Sequence, residues 1–179
     1  STNGMSSLIQ AFNSSYHIRE NESIIKHQLL SILLTVVISA LVFLTIILII
    51  FGKTTITYLV DFQLINQNKI VFLNIAKWIV LIFMLFIGIT TIFNIGPAIK
   101  SKIKIFSPGA ILATLFIILT SIVFSYYIDN FSQYNKIYGS IGTLIIILLW
   151  IYFNAIFLLI GFELNASILN AKKNLTNKS

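Results

Sequence analysis

The stretch that decides the fold is residues 29–51, LLSILLTVVISALVFLTIILIIF, which contains no charged residue. A helix needs about 20 mainly apolar residues to cross the hydrocarbon core of a bilayer. Three further segments are comparably apolar, at about 71–95, 109–128 and 141–162. Strands of a membrane barrel alternate apolar and polar residues, and these segments do not. The sequence therefore predicts an all-α, polytopic membrane helical bundle with four transmembrane helices.

The composition of the whole chain agrees with this prediction. Of its 179 residues, 58% are hydrophobic and 9% are charged, whereas soluble domains are about 25% charged. There is no cysteine, and there are two histidines and five acidic residues. Disulfides and thiolate chemistry are therefore excluded, and we expect neither a metal site nor another cofactor.

The net charge of +7 is explained by membrane topology without a nucleic-acid partner. Eight basic residues lie in the N-terminal segment, the loop at 96–107 and the C-terminal tail, and four lie towards the other side. Because lysine and arginine collect in cytoplasmic loops, the first side is predicted to be cytoplasmic. The short loop with Lys100, Lys102 and Lys104 is the clearest signal, and it is open to two interpretations: topology alone, or contact with anionic lipid headgroups.

Two segments outside the four spans have a mixed pattern. Residues 1–16 carry apolar side chains at helical spacing, which predicts an amphipathic helix. It would lie on the membrane surface or be the end of a truncated span. The segment at 52–70 mixes apolar and polar residues and is expected to follow the membrane interface as a loop. In the second span, Lys77 lies near the start, where its side chain can extend to the headgroups.

Polar residues inside the spans predict which helix faces point inward. Small and hydroxyl side chains form one stripe along the third span: Ala110, Thr114, Ser121 and Ser125. Such a stripe suits close helix packing, and the alternative interpretation is the wall of a polar pathway. Asn154 in the fourth span should also face the bundle interior, because an unpaired amide in hydrocarbon is costly.

The connector between the third and fourth spans is the best candidate for a polar site. Its side chains could line a vestibule or bind a cation through oxygen ligands, or they could simply form an aromatic belt and a turn. The candidate residues are Asp129, Asn130, Tyr134, Asn135, Lys136, Tyr138 and Gly139.

Residues 107–166 carry motifs that resemble the YihY/BrkB family of bacterial inner-membrane proteins. The motifs begin with Pro-Gly-Ala at 108–110, continue through the connector, and end with Gly-x-Glu-Leu-Asn at 161–165. The residues that match the family pattern outside the connector are Asn13, Tyr16, Glu20, Pro97, Pro108, Gly109, Trp150, Gly161, Glu163 and Asn165. Two positions depart from the pattern: Glu22 stands where members carry a basic residue, and Phe93-Asn94 replaces a tyrosine-basic pair.

The resemblance implies six spans in the full protein, of which this chain would be the C-terminal part. Residues 1–16 would then be the cytoplasmic end of the second span. It also implies an inner-membrane location and a role in transport or envelope integrity, with the bilayer as the main partner. A homo-oligomer and a structural scaffold that binds lipid or a partner complex stay open. The family's older label, ribonuclease BN, is the least favoured alternative, because no motif for phosphodiester hydrolysis is recognisable, and we do not expect an enzyme.

Overall fold

The structure, a computed structural model, describes residues 2–15, 24–62, 67–97, 106–130 and 140–176. These residues form five α-helices and no strand. The helices are α1 (Thr2–Ser15), α2 (Ile24–Asp61), α3 (Gln67–Ile95), α4 (Pro108–Asn130) and α5 (Ser140–Thr176). The predicted all-α class is confirmed, and the predicted N-terminal helix corresponds to α1.

Four of these helices are long and apolar enough to cross a membrane. The qualifying segments are Ile25–Gly52, Lys69–Ile95, Pro108–Ile128 and Gly142–Lys172. Each contains one of the four predicted spans almost completely. Most of their large side chains are exposed on the outside of the bundle, which is the arrangement expected where lipid replaces water.

Two helices run further than the sequence predicted. Helix α2 continues to Asp61, so the first ten residues of the expected interfacial loop at 52–70 are helical instead. No proline interrupts this part, and the Thr54 hydroxyl donates to the Ile50 carbonyl at 3.0 Å within the helix. Helix α5 continues to Thr176, and its 37 residues correspond to about 55 Å of helix. That length exceeds the hydrocarbon thickness of about 30 Å, so α5 extends beyond the core.

The helices pack as two antiparallel pairs. Helices α4 and α5 make the most extensive pair, α2 pairs with α3, and α3 joins the pairs through α4. Helix α1 packs against α2 and α5 at the end of the bundle where α4 begins. We call this end the Pro108 end and the opposite one the Asn130 end.

Three phenylalanines from three helices form the centre of the core at the Pro108 end. Phe12 of α1 stacks on Phe162 of α5 with ring centroids 4.1 Å apart. Phe93 of α3 meets both rings edge-on, at 5.7 Å and 5.6 Å. All three side chains are fully buried. This aromatic cluster fixes α1 onto the bundle.

Candidate functional site

The start of α4 is a capped helix end that is completed by a side chain from α5. Ser107 is the N-cap, because its carbonyl accepts the first helical bond, from the Ile111 amide at 3.1 Å. Pro108 follows at a position that needs no amide donor. The Asn165 Oδ1 accepts from the Gly109 amide at 2.8 Å, and its Nδ2 donates to the Ser107 Oγ at 2.9 Å. Asn165 thus satisfies a free donor of α4 from a neighbouring helix.

Two glycines let the helix axes approach closely enough for this bond. A Cβ added to Gly109 would overlap the carbonyl oxygen of Gly161, and one added to Gly161 would lie 2.8 Å from the Ala113 Cβ. Any larger residue at either position would force α4 and α5 apart. We call Ser107, Gly109, Gly161 and Asn165 the glycine–asparagine junction.

Nearer the middle of the bundle, the four spanning helices line a cavity of about 410 Å³ that is partly open to the outside of the bundle. This volume lies in the range of small-molecule sites, about 300–1,000 Å³. Its wall is mainly aliphatic and includes Ile38 of α2, Ile89 of α3, Ile117 of α4 and Leu158 of α5. Gly88 of α3 also lines it, and the missing side chain there widens the space beside Leu41.

A few polar groups interrupt the aliphatic wall. The Trp150 indole donates to the Ser121 Oγ at 3.3 Å and so joins α5 to α4. Asn154, one turn further along α5, donates to the Trp150 carbonyl at 2.6 Å. Its Oδ1 is shielded from solvent and has no hydrogen-bond partner among the described residues. On α2, the Thr45 hydroxyl donates to the Leu41 carbonyl at 2.8 Å and lies 3.7 Å from the Met84 sulfur.

The small-residue stripe of the third span is inward-facing over part of its length. Ala110 and Thr114 are buried, and Ser121 lines the cavity. The Thr114 and Ser121 hydroxyls each donate to the carbonyl one turn earlier, at 2.7 Å and 2.8 Å. Ser125 is exposed on the surface of α4, unlike the other three residues.

The structure describes some of the remaining candidate residues and leaves the others outside its described ranges. Asn13 and Pro97 are buried, whereas Pro108 and Glu163 are exposed at the Pro108 end. Asp129 and Asn130 end helix α4, and their side chains lie outside the described part. The other candidates also lie outside the described residues: Tyr16, Glu20, Lys100, Lys102, Lys104, Tyr134, Asn135, Lys136, Tyr138 and Gly139.

These arrangements can be compared with known proteins. The profile of the Virulence factor BrkB family matches residues 1–179. The chain belongs to the Virulence factor BrkB family. The resemblance seen in the motifs is therefore confirmed, and this BrkB-family chain is a multi-pass membrane protein. No solved structure matches it.

Curated relatives extend the comparison. The chain is 31% identical over 172 residues to the ribonuclease-like protein YfkH of Bacillus subtilis (strain 168), covering 96% of this chain and 62% of the relative. A UPF0761 membrane protein of Haemophilus influenzae (strain PittEE) is 36% identical over 54% of this chain and 35% of its own length. One from Pseudoalteromonas translucida (strain TAC 125) is 35% identical over 46% of this chain and 27% of its own length. The chain thus spans less than two thirds of these relatives.

The sequence alone identifies most residues of the glycine–asparagine junction but few of the residues that line the cavity. Pro108, Gly109, Gly161 and Asn165 match the family pattern at separate places in the sequence, and the structure brings them together. Ser107 was missed, although serine followed by proline is a recognisable helix start. The contributions of α2 and α3 to the cavity, including Thr45, were also missed, since an almost uniformly apolar helix gives no signal of which face points inward.

Proposed function

We propose that this BrkB-family membrane protein is a transporter, or a transporter-like protein of the cell envelope, whose substrate occupies the cavity between α2, α3, α4 and α5. The observation that carries the proposal is the cavity itself, a space of about 410 Å³ between the spanning helices that is partly open to the outside of the bundle. Interiors of packed proteins leave few voids larger than a water molecule. A space of this size between membrane helices is large enough to hold a small ligand.

The chemistry of the wall favours a small, mainly apolar substrate. None of the sixteen lining residues is ionisable. A bare ion in the membrane interior needs charged or multiple oxygen ligands, and the wall offers only scattered hydroxyl, amide and indole groups. An uncharged molecule with a polar group directed towards Ser121 or Asn154 would fit these surroundings best.

A cavity-filling substitution tests this proposal. Gly88→Leu places a side chain beside Leu41 and Ile38, whose methyl carbons lie 3.6 Å and 3.9 Å from an added Cβ, and extends it into the cavity. Full-length protein with this change should reach the membrane of a deletion strain but fail to restore efflux of the neutral dye N-phenylnaphthylamine. Gly4→Leu, where no atom lies within 4 Å of an added Cβ, is the matched control. Full efflux with Gly88→Leu would contradict a role for the cavity.

The connector between α4 and α5 is proposed as the vestibule of this pathway. The sequence places Asp129 and Tyr134 there among the other polar candidates. We expect Asp129→Asn and Tyr134→Ala in the full-length protein to reduce transport. Full complementation by both variants would remove the connector from the pathway.

The proposed location is the bacterial inner membrane, with the Pro108 end cytoplasmic, as the distribution of basic residues suggests. Because the chain contains no cysteine, single cysteines report orientation directly. Tyr58→Cys lies near the Asn130 end and Ser167→Cys near the Pro108 end, and both positions are exposed. An impermeant maleimide should label Tyr58→Cys in intact spheroplasts and Ser167→Cys only after permeabilisation.

A scaffold role is the second proposal, and the outer surface of α2 is the observation that favours it. Helix α2 packs against α1 and α3 and leaves a row of large apolar side chains exposed, including Val36, Phe43 and Ile50. The longer relatives have additional chain that could cover this face, consistent with a six-span protein. Further spans, a second copy of the chain or lipid would each suit it, as anionic lipid would suit the loop lysines. Complementation by Gly88→Leu together with a stable co-purifying complex would favour this role.

Ribonuclease activity is the least favoured function and derives only from names: the older family label and that of the Bacillus relative. Phosphodiester cleavage commonly needs clustered carboxylates for metal ions or a paired general acid and base. Among the described residues, no group of three His, Asp or Glu side chains is close enough to hold a metal. The remaining candidates, Glu20 and Glu22 near His17, lie outside the described residues. RNA cleavage by purified protein that Glu20→Gln abolishes would establish the activity.

A further inference from the structure

A second polar site lies on the outer surface of the α2–α3 pair, towards the Asn130 end. Three side chains on one face of α3 carry hydrogen-bond donors: Asn74, Lys77 and Trp78. Asn74 precedes Lys77 by three residues and Trp78 by four, so its side chain lies beside both of them on the helix. Asn74 and Trp78 are exposed, and Lys77 is half-buried. The Lys77 Nζ lies 6.0 Å from the centroid of the Trp78 ring.

Helix α2 provides a notch for the lysine stem. The position of a Cβ on Gly52 lies 3.5 Å from the Lys77 Cδ and 4.0 Å from its Cγ. The aliphatic stem therefore packs against the backbone of α2 at a place where a larger side chain would displace it. This contact holds the middle of the stem beside α2, while the terminal ammonium group extends beyond it.

The charge at this position is unbalanced within the described structure. The only carboxylate whose side chain is described belongs to Glu163. That residue lies at the Pro108 end, whereas Lys77 precedes the end of α3 by eighteen residues, about 27 Å of helix. Asp61 of α2 lies nine residues beyond Gly52, about 13 Å of helix further on.

The cluster lies in the half of the apolar segment that leads to the headgroups at the Asn130 end. Lys77 lies eight residues inside the apolar segment Lys69–Ile95, about 12 Å from its start. A lysine stem can extend from there to the phosphate level, and tryptophan is enriched at the same level. Within this chain, Asn74 and Trp78 are exposed beside the Lys77 cation, so the cluster presents one charged and two neutral donors on its outer face.

We propose that Asn74, Lys77 and Trp78, with the Gly52 notch, bind the phosphate headgroup of an anionic phospholipid in the leaflet at the Asn130 end. The ammonium group neutralises the phosphate charge, and the amide and indole N–H groups donate to its oxygens. The site is separate from the cavity and does not depend on the proposed transport function.

The two tryptophans of the chain allow a site-specific test. Trp150→Phe leaves Trp78 as the sole tryptophan, so its fluorescence reports lipid at this site. The chain is titrated in mixed micelles with phosphatidylglycerol or phosphatidylcholine whose acyl chains are brominated near the headgroup. Phosphatidylglycerol should quench Trp78 at lower mole fraction than phosphatidylcholine, and Lys77→Gln should reduce this preference about fivefold, as expected for one lysine near an anionic surface.

Matched variants separate the site from general charge attraction. Lys172→Gln removes one exposed lysine at the Pro108 end and should leave the preference unchanged. Gly52→Ala makes only an ordinary contact with the lysine stem and should also retain it, whereas Gly52→Val keeps every charge but displaces the stem and should lower it. Equal quenching by both lipids, or an unchanged preference in Lys77→Gln or Gly52→Val, would overturn the proposal.

Discussion

The Pro108 end and the middle of the bundle are built in contrasting ways. At the Pro108 end, three buried phenylalanines and the glycine–asparagine junction fill the space between α1, α3, α4 and α5. In the middle, α2, α3, α4 and α5 leave about 410 Å³ open and one amide oxygen without a partner among the described residues. The family residues Gly109, Gly161 and Asn165 lie at the packed end, where they join α4 to α5. The open region is the one available to a ligand.

The largest loss of stability is expected when the aromatic cluster at the packed end is disrupted. Phe162→Ala removes the ring that contacts both Phe12 and Phe93 and leaves a cavity, at a cost of about 3–5 kcal/mol in the stability of the bundle. The readout is the fraction of monodisperse protein after heating in detergent. Phe72→Ala, on an exposed face of α3, should change this little. Equal heat resistance of the two variants would show that the cluster does not fix α1.

Forcing α4 and α5 apart should cause the next largest loss of stability. Gly109→Ala places a methyl group against the backbone of α5, and overpacking of this kind costs about 1–3 kcal/mol, with the upper end expected against a rigid helix. The folded yield and the midpoint of thermal unfolding should both fall. Gly4→Ala in α1, with open space around it, should have neither effect. A stable Gly109→Ala protein would mean that the two helices can part without cost.

Removing the cap that Asn165 of α5 provides to α4 should lower the stability of the bundle by a smaller amount. Asn165→Ala frees the buried Gly109 amide, which costs about 1–3 kcal/mol for an unsatisfied buried group, whereas the Ser107 Oγ still accepts from the Ala110 amide at 3.3 Å. Hydrogen exchange at the first turn of α4 should become faster, whereas Asn170→Ala, exposed on the same helix, should leave it unchanged. If exchange stays slow without Asn165, the Ser107 hydroxyl alone is enough to cap α4.

The contrast also explains how far the sequence predicts this molecule. The four spans follow from hydropathy, because in lipid an apolar run of 20 residues has few alternatives to a helix. Pro108 marks the start of α4 through its fixed backbone angle, and Gly109 and Gly161 are recognisable as small residues suited to close packing.

The cavity could not be predicted in the same way. Helix α2 is apolar all round, so its periodicity does not identify which residues face α3 and which face lipid. The end of α2 is hidden for a different reason: residues 52–61 mix apolar and polar side chains, which suggests a loop, yet they extend the helix to Asp61. Ser125 was placed with Ser121 by its spacing, yet it is exposed on α4. Whether a residue is buried depends on which neighbouring helices lie beside it at that level of the bundle. The spacing of residues along one helix does not reveal those neighbours.

The smallest change in stability should come from the open region in the middle of the bundle. It should be an increase, whereas the other three changes are decreases. Asn154→Leu replaces an amide whose Oδ1 is buried without a partner among the described residues by an apolar side chain of similar size, which relieves a penalty of about 1 kcal/mol. Asn94 is the matched control, since its Nδ2 also donates one turn back, to the Thr90 carbonyl at 3.0 Å, without a buried unpartnered oxygen. Asn154→Leu should therefore raise the unfolding midpoint slightly, and Asn94→Leu should not. If Asn154→Leu is also inactive in dye efflux, the unpaired amide is retained for ligand binding at the expense of stability. If it is fully active, the amide serves only helix packing and the substrate contacts lie elsewhere on the wall.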